Sequence, residues 1–231
     1  PAGIAMDVNK GPLEKAQEHI REEKIGGKIA TRLGNGLAPL EPGETDTVII
    51  AGMGGDLICK ILKAKPEFLI EGKEFILQPQ SEWFKIRRLL KEYHYQIEKE
   101  WFLKEDGKYY VIIKAEPAWT QPQRLKHQQP SIHEYIKEIS EIPANQAVSE
   151  KDMESIYEQY GKYLIETKNP VLKEYLEKEI TKKESIAAEL KQSIKEIESE
   201  DLSGKERGNI AKRQRRYQEI QKEIRDMIKA I

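Results

Sequence analysis

The amino-acid sequence predicts an α/β fold with a mostly parallel sheet, followed by a long helical hairpin. In the first half, short apolar stretches alternate with stretches whose apolar residues recur every three to four positions. That alternation is typical of β-α units, whose strands form a parallel sheet covered by helices. The second half holds two long charged stretches with apolar residues at helical spacing, a pattern typical of a coiled-coil hairpin. The predicted segments are residues 1–116 for the sheet, 117–150 for a linker with a helix, and 151–231 for the coiled coil.

The first two predicted strands end at polar residues. Residues 2–6 are apolar and end at Asp7, after which Pro12 opens a helix. Residues 28–33 alternate between apolar and polar side chains and stop just before Asn35. Because ligands of such sheets bind beyond the carboxyl ends of the strands, Asp7 and Asn35 are expected to face one site.

A glycine-rich turn follows the third predicted strand. The strand is predicted at residues 47–50, of which 48–50 are an apolar run, and residues 51–55 are small or flexible and precede a helix. A fourth strand at residues 75–78 is stopped by Pro79, and Ser81 is suited to cap the helix that follows. Glycine lets another molecule approach the backbone closely, so the turn is a candidate floor for a ligand site. The alternative is a plain connection between strand and helix.

The spacing of apolar side chains changes at the end of the sheet segment. Apolar side chains in residues 95–103 are spaced by two, residues 105–108 form a turn, and residues 109–115 form another strand. This pattern predicts an antiparallel hairpin that closes the sheet. Nucleotide-binding dehydrogenases generally finish their sheets with parallel strands, whereas class I (Rossmann-like) methyltransferases finish with an antiparallel one. The sequence therefore favours the class I methyltransferase sheet.

Three polar side chains at the predicted strand ends are candidate ligand contacts. The Asp7 carboxylate could accept two hydrogen bonds from ribose hydroxyls, or it could cap the following helix. The Asn35 amide could pair with the edge of an adenine, or it could be a turn residue in the left-handed conformation. Gln78 could orient a base or hold its own loop. Together, Asp7 and Asn35 fit one adenosine that lies across both strand ends.

Composition excludes several kinds of site. The chain has 231 residues, a net charge of −1 and a single cysteine, Cys59. One cysteine excludes a disulfide within the chain and a cysteine-based zinc site, and the four histidines show no metal-ligand spacing, so no metal is expected. No apolar run approaches the length of a membrane span. We expect a cytoplasmic protein, present as a monomer or a weak dimer.

Five motifs resemble those of one family, the bacterial tRNA adenine-22 N1-methyltransferases (TrmK). They are DVNKGP at 7–12, GNGL at 34–37, IAGMGG at 50–55, LQP at 77–79 and EDGKYY at 105–110. Later in the chain, Tyr160-Gly161 followed by Asn169-Pro170 is similar to the segment before that family's helical tail. The resemblance implies transfer of a methyl group from S-adenosylmethionine to N1 of an adenine in tRNA.

The resemblance also implies roles for individual residues. Asp7 would hold the ribose of the cofactor. Asn35, where the family often has aspartate, would meet the cofactor adenine in a pocket lined by Gly36 and Leu37. The residues bordering the methionine moiety and the incoming base would be Ala51, Gly52, Met53 and Gly54. The residues on the side of the target base would be Gly52, Met53, Gln78 and Pro79, and no catalytic acid or base is assigned.

The last predicted helix carries an uneven charge. Residues 205–229 contain nine Lys or Arg against four acids. A basic face on such a helix suits phosphate contacts with tRNA. The predicted RNA-binding residues are Lys205, Arg207, Lys212, Arg213, Arg215 and Arg216. The alternative is that these side chains pair with acids of the neighbouring helix.

One departure from the family lies at the start of the chain. The family begins with a strand and an Asp-x-Gly-type loop that hold the methionine part of the cofactor, and the chain has neither. In a class I sheet that strand lies between those of Asp7 and Val48, so both are expected to lack a partner on that side. We therefore expect an N-terminally incomplete chain that binds the cofactor weakly. Two alternatives stay open: a methyltransferase-like, non-catalytic RNA-binding protein, and a dinucleotide-dependent oxidoreductase.

Overall fold

The computed structural model describes residues 2–118, 150–198 and 204–231. The chain folds as two compact units, which we call the sheet unit and the helical unit. The sheet unit comprises Pro1–Lys99 with Val111–Gln129, and the helical unit comprises Glu100–Tyr110 with Pro130–Ile231. Most of the predicted linker at 117–150, including its helix, lies outside the described residues.

Strands and helices alternate through the sheet unit as the sequence predicts. Its elements are β1 (Gly3–Asp7), α1 (Lys10–Glu22), β2 (Ile29–Leu33), β3 (Thr47–Met53), α2 (Gly55–Lys63), α3 (Pro66–Ile70), β4 (Glu74–Pro79), α4 (Trp83–Glu92), β5 (Tyr95–Glu105) and β6 (Lys108–Pro117). Two features were not predicted. The short helix α3 begins at Pro66, and β3 continues through the glycine turn to Met53.

The strands form two sheets. In the first, β1 and β2 are parallel, and Asp7 lies opposite Leu33. In the second, the order is β3-β4-β6-β5, with β3 parallel and β6 antiparallel to β4. Within the described part of the chain, β1 pairs only with β2, and β3 pairs only with β4. The predicted gap between the strands of Asp7 and Val48 is therefore confirmed.

Burial alternates along β4, the strand that pairs with both β3 and β6 in the larger sheet. Phe75 and Leu77 are fully buried, while the residues between and beside them are only partly buried. They belong to a core with Phe68, Ile86 and Ile113, which come from three further elements and are also fully buried. Such period-two burial is what a strand with one covered face requires.

Two turns around the sheet depend on left-handed backbone. Asp106 has a φ of +47° and Gly107 a φ of +76°, as a two-residue type I′ turn requires, so the predicted hairpin is confirmed. The predicted capping of α4 by Ser81 is wrong. The residue before the helix is Glu82, with a φ of +54°, and no side chain caps the helix there. The Ser81 carbonyl instead accepts a hydrogen bond from the Gly55 N–H.

The helical unit contains four described helices. They are α5 (Glu150–Tyr160), α6 (Lys162–Glu166), α7 (Pro170–Glu198) and α8 (Gly204–Ala230). Helices α5 and α6 are separated at Gly161, whose φ is +93°. At the start of α7, Asn169 Oδ1 accepts hydrogen bonds from the N–H groups of Val171 and Leu172, both at 3.0 Å. Asn169 is thus a helix cap of the ordinary kind.

Helices α7 and α8 run antiparallel. Lys183 contacts Glu223, and the Arg213 guanidinium donates a hydrogen bond to Ser193 Oγ at 2.9 Å, so residue numbers rise on one helix as they fall on the other. The buried residues of this pair include Leu172, Leu176, Ala187, Ile220 and Ile224. The predicted helical hairpin is confirmed. No helix in the described ranges is long and apolar enough to cross a lipid bilayer.

The tip of the β5–β6 hairpin belongs to the helical unit. The ring of Tyr175 on α7 packs 5.5 Å from the Phe102 ring and 5.0 Å from the Tyr109 ring, measured between centroids. Phe102 is only 2% exposed. Aromatic rings at these separations attract each other beyond their simple burial.

Candidate active site

The structure brings Asp7 and Asn35 to the same edge of the smaller sheet. The Gly34 N–H donates a hydrogen bond to the Asp7 carbonyl at 3.0 Å, which ties the ends of β1 and β2 together. Asp7 Oδ1 accepts the Asn9 N–H at 2.7 Å, just before α1. Its Oδ2 makes no hydrogen bond with the described residues. The carboxylate therefore supports the local turn and still has an oxygen available for a ligand.

The loop after β2 is packed tightly against α2. Gly36 has a φ of +54°, and a Cβ atom added there would lie 2.8 Å from Ile61 Cγ2. Leu37 is buried, whereas Asn35 is exposed. Since α2 follows the glycine turn directly, this packing places the Asn35 loop beside the helix that the turn opens.

The glycine turn is shaped by a hydrogen bond from the neighbouring strand. The register between β3 and β4 shifts between Ala51 and Met53, so Gly52 forms a bulge with a φ of +80°. The Gly52 N–H is not left without a partner, because it donates to Gln78 Oε1 at 2.8 Å. The Gln78 Nε2 atom is buried and has no hydrogen-bond partner among the described residues. Gln78 therefore holds the turn, one of the two roles left open by its sequence position.

Two further hydrogen bonds join the loop after β3 to the loop after β4. The Gln80 N–H donates to the Met53 carbonyl at 2.8 Å, and the Gly55 N–H donates to the Ser81 carbonyl at 3.0 Å. The two loops approach so closely that a Cβ atom at position 55 would lie 2.6 Å from the Glu82 carbonyl oxygen. Glycine is required at this position by the approach of another backbone segment, not by its own φ.

An ion cluster supports the same pair of loops. Lys85 Nζ lies 2.8 Å from Asp56 Oδ1 and 2.6 Å from Glu82 Oε1. Hydrogen bonds to these two carboxylates raise the pKa of Lys85 to about 12. The hydrogen bond from Lys85 also lowers the pKa of Asp56. Lys85 therefore stays protonated near neutral pH and cannot act as a general base there.

The predicted site residues differ in their exposure. Ala51, Gly52 and Met53 are exposed, Gly54 is partly buried and Pro79 is buried. The turn thus presents its backbone to solvent, whereas Pro79, which lies opposite Met53 in the register of β3 and β4, is covered. Across the ranges with described side chains, no group of three or more His, Cys, Asp or Glu residues is placed to bind a metal ion.

A family comparison covers all of these residues. The family described as TrmK, tRNA (adenine(22)-N(1))-methyltransferase, matches residues 1–140. The chain belongs to this methyltransferase family. The resemblance stated from its motifs is thereby confirmed, and the oxidoreductase alternative loses its support.

Individual relatives agree with that assignment. The tRNA (adenine(22)-N(1))-methyltransferase of Bacillus subtilis (strain 168) is 37% identical over 113 residues, which are 49% of this chain and 48% of the relative. The chain spans about half the length of the curated relatives it matches. The crystal structure of the B. subtilis M1A22 tRNA methyltransferase TrmK covers 99% of this chain and 81% of its own, with a TM-score of 0.69 at 24% identity. The structure of Streptococcus pneumoniae Sp1610, a putative tRNA (m1A22) methyltransferase, in complex with S-adenosyl-L-methionine covers 98% and 79%, with a TM-score of 0.61 at 23% identity. These likenesses confirm the predicted fold.

In this TrmK family member, the predicted RNA-binding residues fall into three groups. Lys212 and Arg215 are exposed and make no ion pair with the described residues. Arg213 is engaged by Ser193, and Arg216 lies 3.2 Å from Glu219 and 3.5 Å from Glu223. The side chains of Lys205 and Arg207 lie outside the described part of the structure. Arg216 is paired with acids of its own helix, and the alternative of pairing with acids of the neighbouring helix is met at none of the four predicted residues whose side chains are described.

Cations of α8 that form no ion pair with the described residues extend further along the helix than the predicted RNA-binding residues. Lys222 and Arg225 are exposed and Lys229 is half-buried. They follow Lys212 and Arg215 at intervals of seven, three and four residues, opposite the buried side of the helix. We call these five residues the basic stripe. It covers about 25 Å of helix, at 1.5 Å per residue. Its last three residues lie outside the dense run of cations at 212–216.

Proposed function

We propose that this chain transfers a methyl group from S-adenosylmethionine to N1 of adenine 22 in tRNA. The observation that carries the proposal is the match of residues 1–140 to the TrmK family, because it covers both strand ends and the glycine turn. The S. pneumoniae relative was solved with S-adenosyl-L-methionine, which supports this choice of cofactor.

The residues present suit the cofactor. Asp7 has a free carboxylate oxygen for a ribose hydroxyl, and Asn35 exposes an amide for the edge of an adenine. A Cβ atom added at Gly52 would meet nothing within 4 Å, so the backbone of the turn is open to a ligand. We assign Asp7 to the ribose, and Asn35 with Gly36 and Leu37 to the adenine. The residues assigned to the methionine moiety and the incoming base are Ala51, Gly52, Met53 and Gly54.

Methyl transfer from this cofactor depends mainly on how the reacting groups are oriented. S-adenosylmethionine, when bound, supplies a methyl group that its sulfonium already activates. The chain has to hold the lone pair of adenine N1 in line with that methyl group, which is a matter of positioning. We propose that Gln78 does this indirectly, by fixing Gly52, and that Pro79 forms the floor on the target side. Methylation makes the adenine cationic, and a proton can then leave to water, so no general base is assigned.

The state of the target base follows from the same chemistry. The N1 lone pair of adenine is occupied in a Watson–Crick pair, so the base must be unpaired when it reacts. We therefore propose that adenine 22 is turned out of its helix toward the exposed turn at Gly52. The energetic cost of extrusion has to be offset by contacts elsewhere on the tRNA.

We propose that the basic stripe supplies part of those contacts. Four of its five cations are exposed and Lys229 is half-buried, and none of them forms an ion pair with the described residues. Such cations can bind phosphate groups, and each neutralised phosphate releases counterions and favours binding. Residues 1–116 would then be the methyltransferase domain, with residues 151–231 as the part that grips tRNA. A tRNA substrate also supports the expectation of a cytoplasmic protein.

Transfer of label to a defined nucleoside tests the catalytic proposal. The chain is incubated with tritiated S-adenosylmethionine at high concentration and with a tRNA transcript that carries adenine 22, and the nucleosides are then separated. We expect label in 1-methyladenosine, and none with a transcript in which guanine replaces adenine 22. Asp7→Asn should weaken cofactor binding by about tenfold, the equivalent of one good charged hydrogen bond. Asp46→Asn, an exposed carboxylate just before β3, is the matched control and should change nothing. Label elsewhere, or none at saturating cofactor, would refute the proposal.

Salt-dependent tRNA binding tests the role of the basic stripe. Replacing Lys222 and Arg225 together by Gln should reduce the magnitude of the slope of log K against log salt by about 1.8, since each of the two phosphate contacts contributes close to 0.9. Lys15→Gln, an exposed lysine on α1, should leave the slope unchanged. An unchanged slope in the double variant would show that the basic stripe does not contact tRNA phosphates.

A non-catalytic RNA-binding protein remains the second candidate. The observation that favours it is the gap between β1 and β3, which separates the strand of Asp7 from the strand that leads to the glycine turn. This alternative predicts tRNA binding with the salt slope described above and no labelled 1-methyladenosine. The two measurements therefore separate the candidates without further assumptions.

A further inference from the structure

A second cationic cluster lies in the helical unit, outside the basic stripe. Lys104, near the tip of the β5–β6 hairpin, places its Nζ 2.6 Å from Glu174 Oε1 on α7. Lys178, one turn further along α7, places its Nζ 2.6 Å from the same oxygen. The Tyr109 hydroxyl donates to that oxygen at 3.1 Å and accepts from Lys178 at 3.0 Å. We call these four residues the hairpin cluster.

The hairpin cluster holds more positive than negative charge. Because both ammonium groups lie 2.6 Å from one carboxylate oxygen, they are no more than twice that distance apart. One carboxylate compensates two cations, so the cluster keeps a net charge of +1. The hydrogen bond from Lys104 is the main cause that lowers the pKa of Glu174 to about 2, so its carboxylate is ionised near neutral pH. Glu174 in turn raises the pKa of Lys178, which stays protonated.

The two ammonium groups are held in place and remain open to solvent. Lys104 Nζ lies 5.7 Å and Lys178 Nζ 5.6 Å from the centroid of the Tyr109 ring, within the range of a cation–π contact. That ring is itself packed against Phe102 and Tyr175. The side chains of Lys104 and Lys178 are 36% and 57% exposed. A ligand that binds such prearranged side chains loses less conformational entropy than one that must order free lysines.

Joining the hairpin to α7 does not require the second lysine. One exposed ion pair between Lys104 and Glu174 would already connect the two elements. Lys178 forms a further pair with the same carboxylate oxygen, but its repulsion from Lys104 offsets part of that attraction, and a further anion shared by both ammonium groups would relieve the repulsion. The arrangement fits a phosphate group, whose two outer oxygens can each accept from one ammonium group.

We propose that Lys104 and Lys178 together bind one phosphate group of the RNA backbone. The proposal rests on the tRNA substrate proposed above. Glu174 then acts as the internal anion that holds the two lysines together when no RNA is bound and competes with the phosphate when it is. Removing the lysines and removing the carboxylate should consequently change tRNA affinity in opposite directions.

Equilibrium binding of the full chain to a tRNA transcript tests the proposal, at roughly 50 to 300 mM salt. Replacing Lys104 and Lys178 together by Gln should weaken binding about fivefold near 150 mM salt and lower the salt slope by about 0.9, the contribution of one phosphate. Replacing both by Arg keeps the charges and should keep the slope. Lys173→Gln removes an exposed lysine from a different face of α7 and is the matched control.

The Glu174→Gln variant distinguishes a phosphate contact from a purely structural role of the hairpin cluster. We expect it to tighten tRNA binding by about fivefold, because the competing carboxylate is gone while both cations remain. If the hairpin cluster only joins the hairpin to α7, the double Lys-to-Gln variant and Glu174→Gln should instead have lower melting temperatures, with tRNA affinity and salt slope unchanged. That result, or weaker binding by Glu174→Gln, would overturn the proposal.

Failure of this inference can be told from failure of the proposed function. If the parent chain forms labelled 1-methyladenosine but the lysine variants keep the parent salt slope, only the phosphate contact at the hairpin cluster is refuted. If the parent chain shows no salt-dependent tRNA binding, both proposals fail. If the lysine variants lose slope while methylation is absent, the RNA contact stands and the catalytic proposal falls.

Discussion

Replacing Gly55 by Ala should destabilise the sheet unit more than any other single methyl group added to its glycine turn. The new Cβ atom would lie 2.6 Å from the Glu82 carbonyl oxygen and 2.8 Å from that of Ser81. Both neighbours are backbone atoms, which cannot rotate away as a side chain could. The loop between β4 and α4 therefore has to move, and the 3.0 Å hydrogen bond from the Gly55 N–H to the Ser81 carbonyl is lost.

The expected loss of stability follows from these contacts. Overpacking by a methyl group costs about 1–3 kcal/mol, and the lost hydrogen bond costs about 0.5–1.5 kcal/mol more. Alanine regains up to about 1 kcal/mol relative to glycine through its helix propensity, because position 55 begins α2. The free energy of unfolding should thus fall by about 2–3 kcal/mol.

Equilibrium denaturation followed by tryptophan fluorescence measures this loss, and Trp83 lies at the start of the helix that must move. Two controls separate the causes. Gly11→Ala adds a methyl group with no atom within 4 Å at the second residue of α1, so it should leave stability unchanged or raise it by up to about 1 kcal/mol through helix propensity. Gly52→Ala also has open space but a φ of +80°, and should cost about 1 kcal/mol through backbone strain alone. Parent-like stability of Gly55→Ala would refute the close approach of the two loops.

Three further predictions concern other parts of the chain. Asn169→Ala removes the cap of α7 and should lower the free energy of unfolding by about 1 kcal/mol, whereas Asn169→Asp should keep most of it; thermal melting distinguishes them. Leu176→Ala empties a fully buried position of the helical hairpin and should cost about 2–5 kcal/mol in denaturant titrations, against under about 1 kcal/mol for the partly exposed Ile186→Ala. Two hydrogen bonds from Arg32 lower the pKa of Glu44 from 4.5 to about 2, so its stabilising effect is complete above pH 4.5 and is lost as the pH falls toward 2. Glu44→Gln should therefore show a shallower loss of stability than the parent between pH 4.5 and 2, and equal slopes in that window would contradict this origin of the effect.

Local signals were enough to predict most elements of the fold. Period-two patterns located the strands, and the pair Asp106-Gly107 indicated the tight hairpin turn, because only a few residues tolerate two successive left-handed conformations. The bulge at Gly52 was not predictable in this way. It depends on a hydrogen bond to Gln78, a partner 26 positions away in the chain. Likewise, Ser81 has the chemistry of a helix cap, but its carbonyl is taken by Gly55 and the helix begins after Glu82 instead.

The same distinction applies to the candidate sites. Asp7 and Asn35 could be placed together because parallel strands end at a common edge, and motif resemblance then pointed to their ligand. For the RNA-binding residues, charge density along the sequence was a poor guide. Arg213 and Arg216 sit in the densest run but bond to Ser193, Glu219 and Glu223, while Arg225 lies outside it and is free among the described residues. Which cations are available depends on side-chain contacts with both helices, since Ser193 engages Arg213 from the facing helix whereas Glu219 and Glu223 engage Arg216 from its own.

The position of the hairpin tip limits how the helical unit could have spread among proteins. Residues 100–110 belong to that unit although both strands continue into the sheet unit. A recombination event that carried only residues 150–231 into another gene would leave the Tyr175 ring without those of Phe102 and Tyr109. The two units are therefore expected to be inherited together, and proteins with this helical hairpin on an unrelated catalytic domain should have replaced the aromatic contact.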